Sequence, residues 1–348
     1  MQTRHLIIAS LITGLFILVA FGVWLYTFEL KNFNLKNGIH HIPLELPWSS
    51  PGFVNVYLIE DKGGFIMVDC GVNGDSYYSL LLEYLQKLEI HISDINLLIG
   101  THMHSDHIGL STKIRESGVP FALFKNSVDF IDDYNDWSLR FKNLKDYAEK
   151  HNAPTSFLND IASIKTPSYA GKISKPDILL DEGRIKDVKR NLTTIFTPGH
   201  DRTEISLFDE STKIIFSGDH ILPKITPFIP TDNENEDMLA NYTQSLDKIY
   251  EIDHEIIAPG HGDIISKPHS RIEQMKLHHK RRTEKILNFL KESDFTGWEM
   301  VENLFPRKLD ALNLRLAFQE TMAHLIYLEN KGRIKQENKN NSIYWKII

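Results

Sequence analysis

His102, His104, Asp106 and His107 stand together in His-Met-His-Ser-Asp-His, and four metal-ligand side chains within six residues constrain the fold more than any other feature of the chain. Alternation puts His102 and His104 on one side of an extended segment, while Asp106 and His107 open the following turn and face a second point. Any one of the chain's sixteen histidines is better read as a packing or capping residue; the cluster is not. Imidazole nitrogen and carboxylate oxygen suit a borderline cation such as zinc, at ~2.0 to 2.2 Å. Ile95 to Ile99, just before the cluster, is a short apolar run that suits a buried parallel strand ended by Gly100. Ligands at the carboxyl end of such a strand lie where open α/β sheets place their sites.

More strand ends then end the same way. Thr193 to Phe196 runs into Thr197-Pro198-Gly199-His200, Lys213 to Phe216 into Ser217-Gly218-Asp219-His220, and Glu255 to Ala258 into Pro259-Gly260-His261. Gly64 to Val68 runs into Asp69-Cys70-Gly71. In each case Gly or Pro stops a β-rich run and a His or Asp stands at the stop.

With those motifs in place the chain resembles the metallo-β-lactamase-fold hydrolase superfamily over Gly38 to Ser293. The resemblance implies an α/β fold, a four-layer αββα sandwich. It assigns His102, His104 and His200 to one metal and Asp106, His107 and His261 to a second. Asp219 bridges the two, and Asp69 supports them from nearby. True zinc β-lactamases have Cys or Ser at the bridging position, so Asp219 implies the ligand set of glyoxalase II, lactonases and the RNA-processing branch. Ser217-Gly218-Asp219-His220-Ile221-Leu222-Pro223, with Asn241-Tyr242 and His278-His279, looks like a group of bacterial hydrolases with a C-terminal winged helix. One departure stands out: the family often continues Thr-Pro-Gly-His-x-x-Gly-His, and here the last pair is Thr203-Glu204.

Two divalent metal ions, zinc by ligand type, would do the chemistry on a bound water, since zinc lowers water's pKa from 15.7 to about 7. Asp106 or Asp219 would be the catalytic carboxylate that relays a proton, each limited to the oxygen the metal leaves free. No Gly-x-Ser-x-Gly elbow is present. The one cysteine, Cys70, reads as a small packed residue and rules out a disulfide framework within the chain.

Leu6 to Tyr26 carries no charged side chain and approaches the ~20 residues that cross a ~30 Å hydrocarbon core. It is expected to be an uncleaved, single-pass transmembrane helix rather than a signal peptide, with Trp24 and Tyr26 at the interface. Lys31 and Lys36 after it, against Arg4 before it, lean toward a cytoplasmic enzyme domain. The expected division is residues 1–37 as anchor and linker, 38–295 as the catalytic domain and 296–348 as a winged-helix-like domain. In the last, Thr296 and Glu299 form a capping box, Pro306 stops that helix, and a second runs from Leu312 to Asn330 before a β-hairpin. The stretch Asn126 to Ile164 reads as a helical insertion whose Tyr134, Trp137 and Phe141 could line a substrate pocket, although helical spacing fits plain packing as well. His278 to Arg282 reads as a solvated helical face.

The net charge of −7 divides into +2 over residues 1–37, +2 over residues 296–348 and −11 over the stretch between. A phosphate-tracking enzyme wants a basic stripe along its cleft, so nucleic acid is a disfavoured partner. The expected activity is hydrolysis of a small ester, thioester or lactone. An endoribonuclease is the rival enzyme, a one-iron persulfide dioxygenase is a further one, and a metal-stabilised binding protein at a membrane is the non-enzymatic alternative.

Overall fold

The computed structural model describes residue 35, residues 37–339 and residues 342–348. Two central sheets face each other. The first has six strands in sequential order: β1 (Ile39–Glu45), β2 (Phe53–Asp61), β3 (Gly64–Val68), β4 (Ile95–Ile99), β5 (Phe121–Phe124) and β6 (Ile178–Leu180). Its first three strands are antiparallel and its last four parallel. The second sheet holds β7 (Gly183–Arg184), β8 (Leu192–Phe196), β9 (Ile205–Asp209), β10 (Ile214–Gly218) and β11 (Ile256–Pro259), with only β10 and β11 parallel.

The burial patterns explain the layering. Strands β3, β4, β5 and β10 are apolar on both faces because each sheet is covered twice, by the other sheet and by helices. Ile59, Val68 and Ile99 meet Leu207, Ile214 and Phe216 between the sheets. On the outer face of the first sheet, Leu81 and Leu85 of helix α1 (Asp75–Lys87) pack on Leu58, Met67 and Leu98. Helices α2 (Ser105–Ile108) and α3 (Ser111–Glu116) follow on that side. On the outer face of the second sheet, helix α7 (Met238–Tyr250) sets Tyr242, Leu246 and Ile249 on Ile195, Ile215 and Ile257. That is the αββα order expected from the sequence.

A further core lies beside the sandwich. Helices α4 (Ile131–Asn135), α5 (Trp137–Lys150) and α6 (Thr155–Ala162) form the insertion, and Leu144, Tyr147 and Phe157 pack against the chain's C-terminal elements. Helix α8 (Pro268–Glu292) takes part in two cores, through Ile272 and Met275 at one end and Ile286, Leu287 and Leu290 at the other. After it come helices α9 (Gly297–Leu304) and α10 (Ala311–Asn330) and a sheet of β12 (Phe295–Thr296), β13 (Ile334–Lys339) and β14 (Ser342–Ile347). Thr296 caps α9 in the reciprocal box with Glu299 read from the sequence. Phe318 and Trp345 are wholly buried among the insertion's side chains, and each such burial contributes about 1.5–3 kcal/mol. The insertion is thereby fastened to the C-terminal elements.

Two expectations are corrected. The transmembrane helix over Leu6 to Tyr26 lies outside the described residues, and among those described no helix is long and apolar enough to cross a membrane. The longest, α8, is interrupted throughout by Lys, Arg, His and Glu. The membrane helix is thus no part of the described fold, which gives no support to the membrane as a partner or to a single-pass membrane location. His278 to Arg282 is also not a simple solvated face, since His279 is buried and its Nδ1 meets His324 Nε2 at 3.1 Å.

Candidate metal centre

The carboxyl ends of β3, β4, β8, β10 and β11 converge at one edge of the sandwich. Main-chain bonds hold their loops together: Asp69 N–H donates to Ile99 O (2.9 Å), Ile205 N–H to Thr101 O (2.9 Å), and Gly260 N–H to Gly218 O (2.6 Å). Gly260 must be glycine, because a Cβ there would lie 2.5 Å from Asp219 Oδ1 and 2.7 Å from His107 Cε1. Asn55 on β2 clamps the loop after β11, its Nδ2 donating to Pro259 O and Gly262 O, both at 2.9 Å.

All seven side chains predicted as ligands meet here. His104 Nδ1 stands 3.0 Å from His102 Nε2 and 3.1 Å from His200 Nε2. Beside that trio, His107 Nε2 and His261 Nε2 are 3.3 Å apart, with Asp106 Oδ2 3.2 Å from His261 Nε2. Asp219 lies between the two sets: Oδ1 is 3.4 Å from His107 Nε2, and Oδ2 is 3.6 Å from His200 Nε2 and 3.5 Å from His261 Nε2. Three groups could each hold a cation, namely His102/His104/His200, Asp106/His107/His261 and His102/His107/Asp219.

The outer nitrogen of each ring decides what the inner one can do. His200 Nδ1 faces Phe228 O at 2.7 Å and His261 Nδ1 faces Phe53 O at 2.5 Å, and a carbonyl can only accept. Both rings therefore carry their proton on Nδ1. Thr101 Oγ1 donates to Asp69 Oδ2 and so accepts from His102 Nδ1, while His107 Nδ1 donates to Asp69 Oδ2 at 2.7 Å. In their neutral forms, four Nε2 lone pairs point into one space. His107 Nε2 and His261 Nε2 stand 3.3 Å apart, where two lone pairs repel, and that is close to the ~3.3 Å between neighbouring ligands of a tetrahedral ion at ~2.0 Å. The donor set thus fits divalent cations, and Asp219 Oδ1, buried without a hydrogen-bond partner, is the atom such an ion would satisfy.

The electrostatics agree. Burial, then the neighbouring rings, push His102 well below the usual imidazole range and His104 down to about 4. Burial would raise the carboxyl of Asp219, but His261 and His107 overcome it and hold it well below the ordinary range. In His107, burial is outweighed by Asp219, Asp69 and Asp106, which raise it well above the usual value. These carboxylates hold positive charge where a cation would sit.

Asp69 supports this arrangement. It adopts φ = 60°, a left-handed conformation uncommon outside Gly, Asn and Asp, and in it the carboxylate accepts from Thr101 N–H, Thr101 Oγ1–H and His107 Nδ1–H. Cys70 is buried and its thiol is pushed up by burial and by Asp69, so it is inert packing. Glu204, at the departure Thr203-Glu204, is buried and accepts Asp219 N–H at 2.9 Å. Sequence reasoning did not find the parts played by Thr101, Phe53 and Phe228; the latter two act through carbonyls, which leave no side-chain signature.

A cavity of about 340 Å³ opens over the centre, reached by His104 and Asp106 and walled by Tyr134, Trp137, Phe141 and Arg315. All three predicted pocket residues are thus on its wall. Tyr134 also donates from its hydroxyl to Asp201, and Leu144, one turn beyond Phe141, belongs to the neighbouring core.

An αββα sandwich with a His/Asp centre at its strand ends defines a class of metal-site proteins, and the comparisons name it. Residues 49–261 match the model of the metallo-beta-lactamase superfamily, and the chain belongs to that family. Residues 283–345 match the metallo-beta-lactamase-like C-terminal domain. The probable metallo-hydrolase YqjP of Bacillus subtilis is 27% identical over 308 residues, covering 85% of this chain and 94% of its own. A human protein named acyl-coenzyme A thioesterase MBLAC2 is 24% identical, covering 66% of this chain and 79% of its own. A metallo-beta-lactamase family protein from Thermus thermophilus, 24% identical, has the same fold with a TM-score of 0.74 over 89% of this chain and 99% of its own.

Proposed function

We propose that the protein is a dinuclear, metal-dependent hydrolase of small acyl substrates, esters or thioesters. The single observation that carries this is Asp219, buried between the two ligand sets, with Oδ2 facing His200 of one and His261 of the other, Oδ1 facing His107, and no hydrogen-bond partner on Oδ1. His102, His104 and His200 hold one divalent ion, Asp106, His107 and His261 the other, and zinc suits these donors. Bound there, a pair of cations supplies Lewis acidity, lowering a water's pKa to about 7 and polarising an acyl oxygen.

The chain's own residues do the rest. Asp69 and the carbonyls of Phe53 and Phe228 fix the ring tautomers, so the ligands need no rearrangement. Asp106, half-buried, is held ionised against the effect of burial by His107 and His261, and it reaches the cavity, where a free carboxylate oxygen can accept a hydrogen bond from the attacking water and orient it. Trp137 and Phe141 offer an apolar wall to an acyl chain. The thioester preference draws on the name of the human relative.

A substrate panel tests this reading. Zinc-loaded protein is expected to hydrolyse aryl esters and alkyl thioesters faster than it cuts single-stranded RNA, with a weak dependence on salt, because a net −11 field opposes a polyanion. Metal-dependent RNA cleavage that exceeds every ester turnover and is lost in His102→Ala would replace this reading with the ribonuclease.

A further inference from the structure

Three arginines line the cavity over the metal centre, and they differ in what answers their charge. Arg202 has Glu236 at 3.7 Å and Asp232 at 3.9 Å. Arg140 on α5 and Arg315 on α10 have no carboxylate within ion-pair distance among the described residues. Arg140 lies over the rings of Tyr134 and Trp137, at 4.7 and 5.6 Å, and Arg315 over Phe141 at 5.1 Å. Arg315 is half-buried, and its Nε is shut off from solvent with no acceptor.

That arrangement is costly as it stands. A guanidinium stays charged at any ordinary pH, so it cannot relieve burial by losing a proton. Burial and then Arg140 both act to lower the Arg315 pKa, which places the two charges within electrostatic reach. Arg315 lines the same cavity as Asp106, so the arginine shares a wall with a ligand carboxylate. Stacking on Phe141 would account for the side chain's apolar stem and flat face, but it gives the buried Nε–H no acceptor. Of the cavity's carboxylates, Asp201 is engaged with Tyr134 and Thr203, Asp106 with His261 and Asp232 with Arg202, while Asp133 is exposed and forms no ion pair with either arginine among the described residues. An anion on the ligand is what this wall lacks.

Resting on the acyl-hydrolase reading above, we propose that Arg315 and Arg140 are specificity-determining residues for an acyl substrate carrying an anionic group, a carboxylate or a phosphate, with Trp137 and Phe141 flanking the chain that links it to the scissile bond. Arg315 comes from the C-terminal elements, so those elements complete the substrate site as well as bracing the insertion. A planar fork of N–H donors suits both oxyanions.

Two matched pairs, used with zinc-loaded full-length protein, separate the sources of charge: p-nitrophenyl pentanoate against p-nitrophenyl hydrogen glutarate, and the S-butanoyl thioester of a hydroxyalkyl thiol with and without a phosphate on its hydroxyl. The charged member of at least one pair is expected to have the higher kcat/KM by about 10- to 100-fold, mainly through KM, the range that a charge-assisted hydrogen bond carries. Arg315→Met should remove about tenfold or more of that preference and Arg315→Lys should restore part of it. Arg140→Met, on the more exposed helix, gives the same test if Arg315→Met does not fold. Glutarate binding is measured in parallel by calorimetry and should weaken in both Met variants. If no ester is turned over but glutarate binds wild type and is lost in the variants, the acyl reading fails and the anion site stands. Equal kcat/KM within both pairs, with glutarate affinity unchanged in the variants, overturns the proposal and leaves acyl hydrolysis in place.

Discussion

Asp219→Ala is expected to lower kcat/KM by two to four orders of magnitude while leaving the sandwich folded. A metal centre supplies several kcal/mol of charge stabilisation in the transition state, which is lost when the residue joining its two ligand sets is removed, and each ~1.36 kcal/mol is tenfold in rate. The loss should fall mainly on the site because the carboxylate makes no hydrogen bond to the described protein that the fold relies on: Oδ1 is unpartnered, while Asp219 N–H keeps its acceptor in Glu204. Asp219→Asn should be nearly as inactive, since it keeps the shape and loses the charge that faces His107, His200 and His261. Far-UV circular dichroism like that of wild type, with activity reduced by less than about tenfold, would show that Asp219 does not join the two ligand sets.

The second large effect is at Asp69, which lies one shell behind the centre. Its carboxylate takes three protons' worth of hydrogen bonding, from Thr101 N, Thr101 Oγ1 and His107 Nδ1, and Thr101 passes the constraint on to His102. One residue thus fixes the orientation of a ligand in each set. Asp69→Ala should weaken metal binding by about 10- to 100-fold, as read by competition with a chelator. It should also destabilise the metal-free fold by about 1–3 kcal/mol for each buried donor left without an acceptor, as read by urea unfolding. The left-handed backbone at Asp69 adds to that cost in Ala and less in Asn. Asp69→Asn therefore separates the two contributions: it keeps the backbone preference and removes the charge that raises His107. Metal affinity unchanged in both variants would reduce Asp69 to a packing residue.

Much of this was legible in the sequence because the ligands obey two local rules. They sit where a β-rich run stops, and Gly or Pro marks the stop, so Asp69, His102, His200, Asp219 and His261 could each be placed at a strand end before any distance was known. The αββα layering came with the family resemblance, and the mostly apolar runs of β4 and β10 agree with it, since such strands need cover on both faces. What could not be read is what depends on partners distant in sequence. The carbonyls of Phe53 and Phe228 act through main-chain atoms that every residue possesses. Arg315 gave no local sign that α10 would bring it to a wall shared with Asp106. His279 lay inside a charge run, and only its packing on His324 and Tyr242 shows it to be interior. The apolar stretch Leu6 to Tyr26 was equally plain by hydropathy, yet hydropathy speaks for a segment's own composition and not for the described fold, which has no membrane-spanning helix among its described residues.

The central claim is that two cations share Asp219, and their number is measurable without a substrate. Protein stripped with a chelator, titrated with zinc and passed through a desalting column should retain two equivalents per chain by plasma emission spectrometry, and Asp219→Ala should fall below two. One equivalent in wild type at saturating zinc, unchanged in Asp219→Ala, would contradict the account.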